Sequence, residues 1–150
     1  MKLAIGNDHV AVDMKNEIKA YLESKGHEVI NVGTDSSERF NYPVSGYKVA
    51  RLVADGEVDG GVLICGTGVG ISLAANKVHG IRCVTCTDTY SAKMSRLHNN
   101  ANMLALGSRV VGTELAKDIV RVWLMTSFEG ERHARRVALI DKLDRREELE

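Results

Sequence analysis

Five short apolar runs recur along the chain, at residues 2–6, 28–32, 60–64, 81–86 and 103–106, with amphipathic stretches between them. This alternation is the strongest constraint on the fold. Runs of this length flanked by glycine read as strands, and the intervening stretches have helical period. Residues 13–24 place Met14, Ile18, Tyr21 and Leu22 on one side, and Gly26 follows as a stop. Residues 44–54, 69–76, 90–97 and 114–125 give further helices, and the charged segment 131–150 is helical in period. The run at 60–64 has no polar interruption, as expected of a strand buried on both faces. Strand–helix alternation predicts an α/β fold with a parallel sheet covered on both sides. The length of 150 residues fits one domain, residues 1–150.

In an open parallel sheet, ligands bind beyond the carboxyl ends of the strands. The segments to inspect are therefore Asn7-Asp8-His9, Gly33-Thr34, Cys65-Gly66-Thr67-Gly68, Thr87-Asp88 and Gly107-Ser108-Arg109. The most informative is Cys65-Gly66-Thr67-Gly68-Val69-Gly70, where a buried strand ends at a cysteine and alternate glycines open a helix. Glycines let a backbone turn tightly and aim its N–H groups at an anion, and a helix start favours a thiolate. Cys65 is thus a candidate nucleophile or base, against the plainer reading of a close-packed turn with a structural thiol. The loop lacks the Gly-Lys-Ser/Thr ending of a phosphate-binding P-loop. It also has Ile71 where a dinucleotide fingerprint places its third glycine, although Asp88 lies at a tolerable distance for a ribose-binding acid. A nucleotide-binding module remains a rival on those grounds.

Asp8-His9 after the first strand could hydrogen-bond sugar hydroxyls or move protons, or Asp8 could simply cap a helix. His98-Asn99-Asn100 could supply an acid/base with orienting amides, or a helix C-cap. Arg132, Arg135 and Arg136 share a helix face at i, i+3 and i+4, which suits either a phosphate or solvent, with Glu129 and Glu131 close by. Arg109 follows a strand directly. Cys83 and Cys86 have CxxC spacing, but residues three apart on a strand point to opposite faces, so a redox or zinc role is not expected. His27 and His79 precede strands and read as structural, and nothing has metal-ligand spacing.

Twenty basic and twenty acidic residues cancel, which argues against a nucleic-acid-binding domain. The three cysteines are too few and too odd in number for a disulfide scaffold. No apolar run is long enough for a membrane span, and the N-terminus lacks a signal-peptide pattern, so a reducing cytoplasm is expected. The neutral sum conceals an asymmetry. Residues 1–75 carry five lysines and two arginines, whereas residues 76–150 carry four lysines and nine arginines.

Taken together, these strings resemble the ribose-5-phosphate isomerase B family. The matching pieces include Asp8-His9, Gly33-Thr34, Asn41-Tyr42-Pro43, Ile64-Cys65-Gly66-Thr67-Gly68-Val69-Gly70-Ile71 and Ala75-Asn76-Lys77. Further along come Gly80-Ile81-Arg82, the run from Ser95 through His98-Asn99-Asn100 to Asn102, Gly107-Ser108-Arg109-Val110-Val111-Gly112 and Gly130-Glu131-Arg132-His133. They run in order over nearly the whole chain. The resemblance implies a three-layer Rossmann-like sandwich with a five-stranded parallel sheet, and a C-terminal helix reaching a neighbouring subunit. It implies a metal-independent, cofactor-free aldose–ketose isomerase working through a cis-enediolate on ribose 5-phosphate and ribulose 5-phosphate.

By that similarity Cys65 is the base, Thr67 and the amides of Gly66, Gly68, Val69 and Gly70 hold the enediolate oxygens, and His98 opens the sugar ring beside Asn99. Asp8, His9 and Tyr42 contact the sugar or its phosphate, and Arg109, Arg132 and Arg136 form a phosphate clamp. The implied partners are a small sugar phosphate and other copies of the chain, as a homodimer or tetramer whose sites draw on two subunits. Many relatives carry glycine at Ala11 and an aromatic at Val12, and the stretch Val44-Ser45-Gly46 is variable. These departures bear on the sugar, leaving a hexose 6-phosphate substrate of allose or galactose type as an alternative. The galactose-type subunits usually lack His98-Asn99-Asn100 in this form, which favours the ribose type.

Overall fold

The computed structural model describes residues 1–149. The strands are β1 (Lys2–Asn7), β2 (Glu28–Asn31), β3 (Gly60–Cys65), β4 (Cys83–Thr85) and β5 (Met103–Gly107). The helices are α1 (Val12–Ser24), α2 (Tyr42–Ala54), α3 (Val69–Ala75), α4 (Thr89–Asn99), α5 (Thr113–Met125) and α6 (Arg132–Asp144). A single 3-10 turn, His9–Ala11, joins β1 to α1. The sheet is parallel throughout in the order β2-β1-β3-β5-β4. The expected three-layer, Rossmann-like α/β architecture is therefore present.

Strand residues alternate between two cores. Leu3, Ile5, Val62, Ile64, Leu104 and Leu106 meet Met14, Ile18 and Leu22 of α1 and Ile119 and Trp123 of α5. Ala4, Leu63, Met103 and Ala105 meet Val49 and Ala50 of α2 and Ile71 and Ala75 of α3. Each fully buried Leu or Ile side chain favours the folded state by about 1.5–3 kcal/mol, so both helix layers are firmly held. The second face is lined by small residues, and α2 sits close against it. A Cβ on Gly61 would come within 2.5 Å of Val49 Cγ1. That close seat fixes the N-terminal end of α2, and with it Tyr42.

Several boundaries differ from the sequence expectation. Helix α2 begins at Tyr42 rather than Val44, because Asn41 is extended and Pro43 suits the first turn. Strand β4, at the sheet edge, pairs only over Cys83–Thr85, so residues 81, 82 and 86 of the expected strand lie outside the ladder. Helix α1 ends where expected, with Gly26 at φ +88°, and the amides of Gly26 and His27 return to Glu23 and Leu22. Helix α6 is shorter than the expected 131–150. It closes with the same pattern, since Arg146 turns to φ 59° and Glu147 donates back to Lys142. Glu150 lies outside the described residues.

Cys83 and Cys86 pack into opposite cores, one on each face of the sheet. Burial pushes the Cys83 thiol up to about 12, and burial with nearby Asp88 pushes Cys86 up to about 11. Both thiols are therefore held protonated and inert, in line with diverging strand residues.

The chain runs outward from β1 to β2, then crosses to β3 on the other side of β1. The connections leaving β1 and β3 thus part in opposite directions, and a crevice opens between the carboxyl ends of these two strands.

Candidate active site

That crevice is a cleft of about 470 Å³ lined by Asp8, His9, Val10, Tyr42, Cys65, Gly66, Thr67, Val69, Gly70 and Arg109. The Asp8 amide donates to the Ile64 carbonyl at 3.2 Å, carrying the sheet pairing one step past β1. The Asp8 carboxylate accepts from the Val10 amide at 3.1 Å. Asp8 is thus both a cap of the 3-10 turn and a wall of the cleft, so the two readings of this residue do not exclude each other.

Cys65 ends β3 and is 4% exposed. Its Sγ accepts the Gly68 amide at 3.1 Å, and Thr67 Oγ1 accepts the Val69 amide at 3.2 Å. Gly68 has φ +80°, and a Cβ there would lie 2.9 Å from the Leu106 carbonyl carbon, so only glycine closes this turn without strain. The segment after β5 clamps the loop, with Ser108 donating to the Cys65 carbonyl at 2.8 Å and Arg109 to the Gly66 carbonyl at 3.0 Å. Arg109 therefore lies along the floor of the cleft. Helix α3 has only seven residues. Anion binding here rests more on loop amides than on a long helix dipole.

His9 Nδ1 lies 3.2 Å from the Phe40 amide nitrogen and 3.3 Å from the Phe40 carbonyl oxygen, so the Phe40 backbone holds the ring in either tautomer. Asn7, whose bracing role was not singled out in the sequence, is fully buried. Its side chain donates to the carbonyls of Asp8 and Thr34 and accepts from the Thr34 amide. A Cβ on Gly33 would overlap Asn7 Oδ1 at 2.0 Å, which explains glycine at that turn.

His98, Asn99, Arg132 and Arg136 are not in this cleft. Helix α4 starts just past the carboxyl end of β4 and spans eleven residues, about 16 Å at the helical rise. His98 near its end thus sits toward the amino-terminal ends of the strands, away from the carboxyl end of β3 where Cys65 lies. The Glu129 amide donates to the Leu97 carbonyl at 3.1 Å, which brings the start of α6 to that same end. There Arg132, Arg135, Arg136 and Leu139 line a separate pocket of about 250 Å³. Asn99 borders a third hollow, with Arg82, Ile140 and Asp144.

The His98 ring stacks on His133 with centroids 4.1 Å apart and planes 11° apart. Glu129 Oε2 lies 4.0 Å from His98 Nε2 and 3.9 Å from His133 Nε2. His133 is 5% exposed. Its burial, and then the neighbouring His98, hold it below the usual imidazole value. Three ligand-type atoms here lie within 4.8 Å of one another. Yet near-parallel stacked rings send their nitrogen lone pairs side by side rather than toward one point. The nitrogen–oxygen separations also exceed the ~3.4 Å edge of a tetrahedron built on zinc bond lengths. Neither feature suits a tetrahedral metal site. Glu129 and His133 are parts of it that residue types alone did not single out, although their i, i+4 spacing at a helix start was visible.

Two sequence readings change. Ala11 is buried in the core beneath α1 and does not line the cleft. Asp88 caps α4 by accepting the Ser91 amide at 2.6 Å. It does not line the cleft that the glycine loop borders, as a ribose-binding acid would.

With this geometry in place, comparison with known proteins is decisive. The sequence model of the Ribose/Galactose Isomerase family matches residues 3–140. The chain belongs to that family. It is 58% identical over 145 residues to "Ribose-5-phosphate isomerase B" of Escherichia coli (strain K12), covering 97% of each chain. It is also 45% identical over 148 residues to "D-erythrulose-4-phosphate isomerase" of Pectobacterium atrosepticum, covering 98% of this chain and 97% of that one. Among solved structures, Clostridium thermocellum ribose-5-phosphate isomerase B superposes with a TM-score of 0.96 at 53% identity, over 97% of this chain and 99% of that chain. Membership in the ribose/galactose isomerase family makes this chain an aldose–ketose isomerase. Among the described residues no helix is long and apolar enough to cross a membrane.

Proposed function

We propose that the protein interconverts ribose 5-phosphate and ribulose 5-phosphate through a cis-enediolate. The observation that carries this reading is the Gly68 amide donated to Cys65 Sγ inside a cleft that also holds Asp8, His9 and Arg109. In the forward direction the Cys65 thiolate takes the proton from C2 of the open-chain aldose. The C2–H electron pair becomes the C1–C2 double bond, and the carbonyl electrons move onto O1. Return of the proton to C1 and transfer of the hydroxyl proton from O2 to O1 complete the ketose. A proton beside a carbonyl is a weak acid, so the rate depends on stabilising the enediolate. Thr67 and the amides of Gly66 and Gly70 are the donors for that task, while the Gly68 and Val69 amides, donated to Cys65 Sγ and Thr67 Oγ1, hold those two side chains in place; prepositioned donors of this kind are worth several kcal/mol.

Asp8, His9 and Tyr42 orient the sugar, and Arg109 with Arg132 and Arg136 binds the phosphate, so remote binding energy aligns C2 with the sulfur. His98 opens the furanose ring, with Asn99 beside it. The placement of His98 and the α6 arginines away from the cleft supports drawing these groups from a second copy of the chain. Helix α6 supports this, because Leu139, Ile140 and Leu143 are 38%, 42% and 57% exposed on it. Apolar residues so placed suit contact with a neighbouring subunit in a homodimer or tetramer. The three free cysteines fit a cytoplasmic enzyme.

The deciding experiment is an isomerisation panel over tetrose, pentose and hexose phosphates with EDTA present. The kcat/KM is expected to be highest for ribose 5-phosphate. A hexose 6-phosphate or tetrose 4-phosphate preference would overturn the sugar, and tight nucleotide binding without isomerisation would overturn the reaction.

A further inference from the structure

Lys15 on α1 is fully buried, in a row whose other members, Met14, Ile18 and Leu22, are apolar. Lysine is almost never fully buried unless it is paired. Its ammonium pairs with Asp35, a residue in the loop after β2 whose side chain is 74% exposed. Asn31 donates to the same carboxylate oxygen at 3.0 Å. The hydrogen bonds from Lys15, first, and then Asn31 hold the Asp35 carboxyl below its ordinary range. An apolar side chain would fill the Lys15 site without the desolvation cost, so packing does not account for a charge there.

The geometry around the loop does account for it. Residues 34–40 form a staircase of short side-chain-to-backbone turns. The Thr34 amide is held by Asn7 Oδ1, the Ser36 amide by Thr34 Oγ1, the Glu38 amide by Ser36 Oγ, and the Phe40 amide by His9 Nδ1. Both ends of the staircase are thus tied to groups at the carboxyl end of β1. Its last step holds the His9 ring against the Phe40 backbone, and two residues later the chain enters α2 at Tyr42. Asp35 is the one step anchored from α1. Exposed turns of Ser, Thr and Asp have little buried apolar contact to hold them, so a tether at this step sets how well the staircase keeps its shape.

We propose that Lys15 is a positioning residue: through Asp35 it fixes the loop that orients His9 and Tyr42 against the sugar. This inference rests on the isomerase reading above for its kinetic consequence, but not for its structural one. Because His9 and Tyr42 bind substrate without taking part in the proton transfer, a loosened loop weakens binding more than chemistry.

The test uses the full-length protein with Lys15→Met, which keeps the buried volume, and with Asp35→Asn, which alters only the exposed end of the pair. In the unsubstituted protein, nitrogen-15 NMR of the imidazoles shows the held His9 ring as a single tautomer. In both variants that signal becomes an exchange average of the two tautomers. The KM for ribose 5-phosphate rises about tenfold while kcat stays within about threefold, the pattern of lost ground-state binding. The double variant adds nothing to either single one, because the two residues act as a unit. An unchanged His9 signal in the variants overturns the proposal, as does an unchanged KM in an active enzyme. If the unsubstituted protein isomerises no sugar phosphate, the functional reading fails by itself and the His9 signal still decides the tether.

Discussion

Tyr42 lies against Gly70 so closely that a Cβ at position 70 would stand 2.7 Å from Cζ and 3.0 Å from the phenol oxygen. The first residue of α2 and the second residue of α3 thus share one wall of the cleft. A side chain at position 70 has to push the phenol aside. Gly70→Ala is expected to leave the fold intact, since the displaced group is 40% exposed. It should raise KM for the sugar phosphate by about tenfold through misplaced contacts. Steady-state kinetics check this, and a native KM would mean that Tyr42 does not touch substrate.

Cys65→Ala is expected to abolish exchange of the C2 proton with deuterated solvent while the melting temperature stays near that of the parent. Loss of a positioned base costs at least about a hundredfold in rate. Proton NMR of ribose 5-phosphate incubated in heavy water reads the exchange directly. Full exchange in the variant would falsify the role of Cys65 as base.

His98→Asn is expected to slow turnover of the cyclic sugar while sparing an open-chain substrate. Because His98 and Cys65 lie at opposite ends of the sheet and are proposed to meet across two subunits, the two lesions should also complement. Refolding a mixture of the Cys65→Ala and His98→Asn chains gives hybrids in which one site holds both native groups. A statistical mixture of dimers is half hybrid, and each hybrid carries one intact site of two, so about a quarter of the parental activity returns. Two inactive parents giving an inactive mixture would show that each site lies within one subunit.

His133 carries a pH signature. Its folded-state value is depressed by burial below the usual 6.5. As the pH falls below 6.5, the unfolded chain takes up a proton that the folded chain resists. Stability contributed by neutral His133 is therefore complete above that pH and declines as the pH falls toward the lower folded value. His133→Gln should flatten this part of the curve of melting temperature against pH. An identical slope in the variant would place the titrating group elsewhere.

The α/β class was readable because β3 is an unbroken apolar run and α5 is strongly amphipathic. The cleft was readable because a parallel sheet presents its strand ends to ligands, and Asp8, Cys65 and Arg109 all sit there. Helix boundaries were harder. The last turn of α6 depends on Arg146 adopting a left-handed conformation that its residue type does not favour. Lys15, and the bracing role of Asn7 within the Asn7-Asp8-His9 segment, escaped notice for a different reason. Each of the two residues is polar in an apolar pattern, and its meaning lies in a partner more than fifteen residues away in the chain. His133 was hidden beside three arginines, and only the stack on His98 reveals it.

Under the proposed shared-site arrangement, the separation of Cys65 and His98 within one chain also changes how damage spreads through an assembly. In a dimer built this way, each chain lends its cysteine loop to one site and its histidine stack to the other. A chain defective in one half disables one site and leaves the second to its partner. A chain defective in both halves disables both sites of any dimer it enters, however sound its partner. Catalytic output then depends on who is paired with whom, and a minority of doubly defective chains removes more activity than its share of the population.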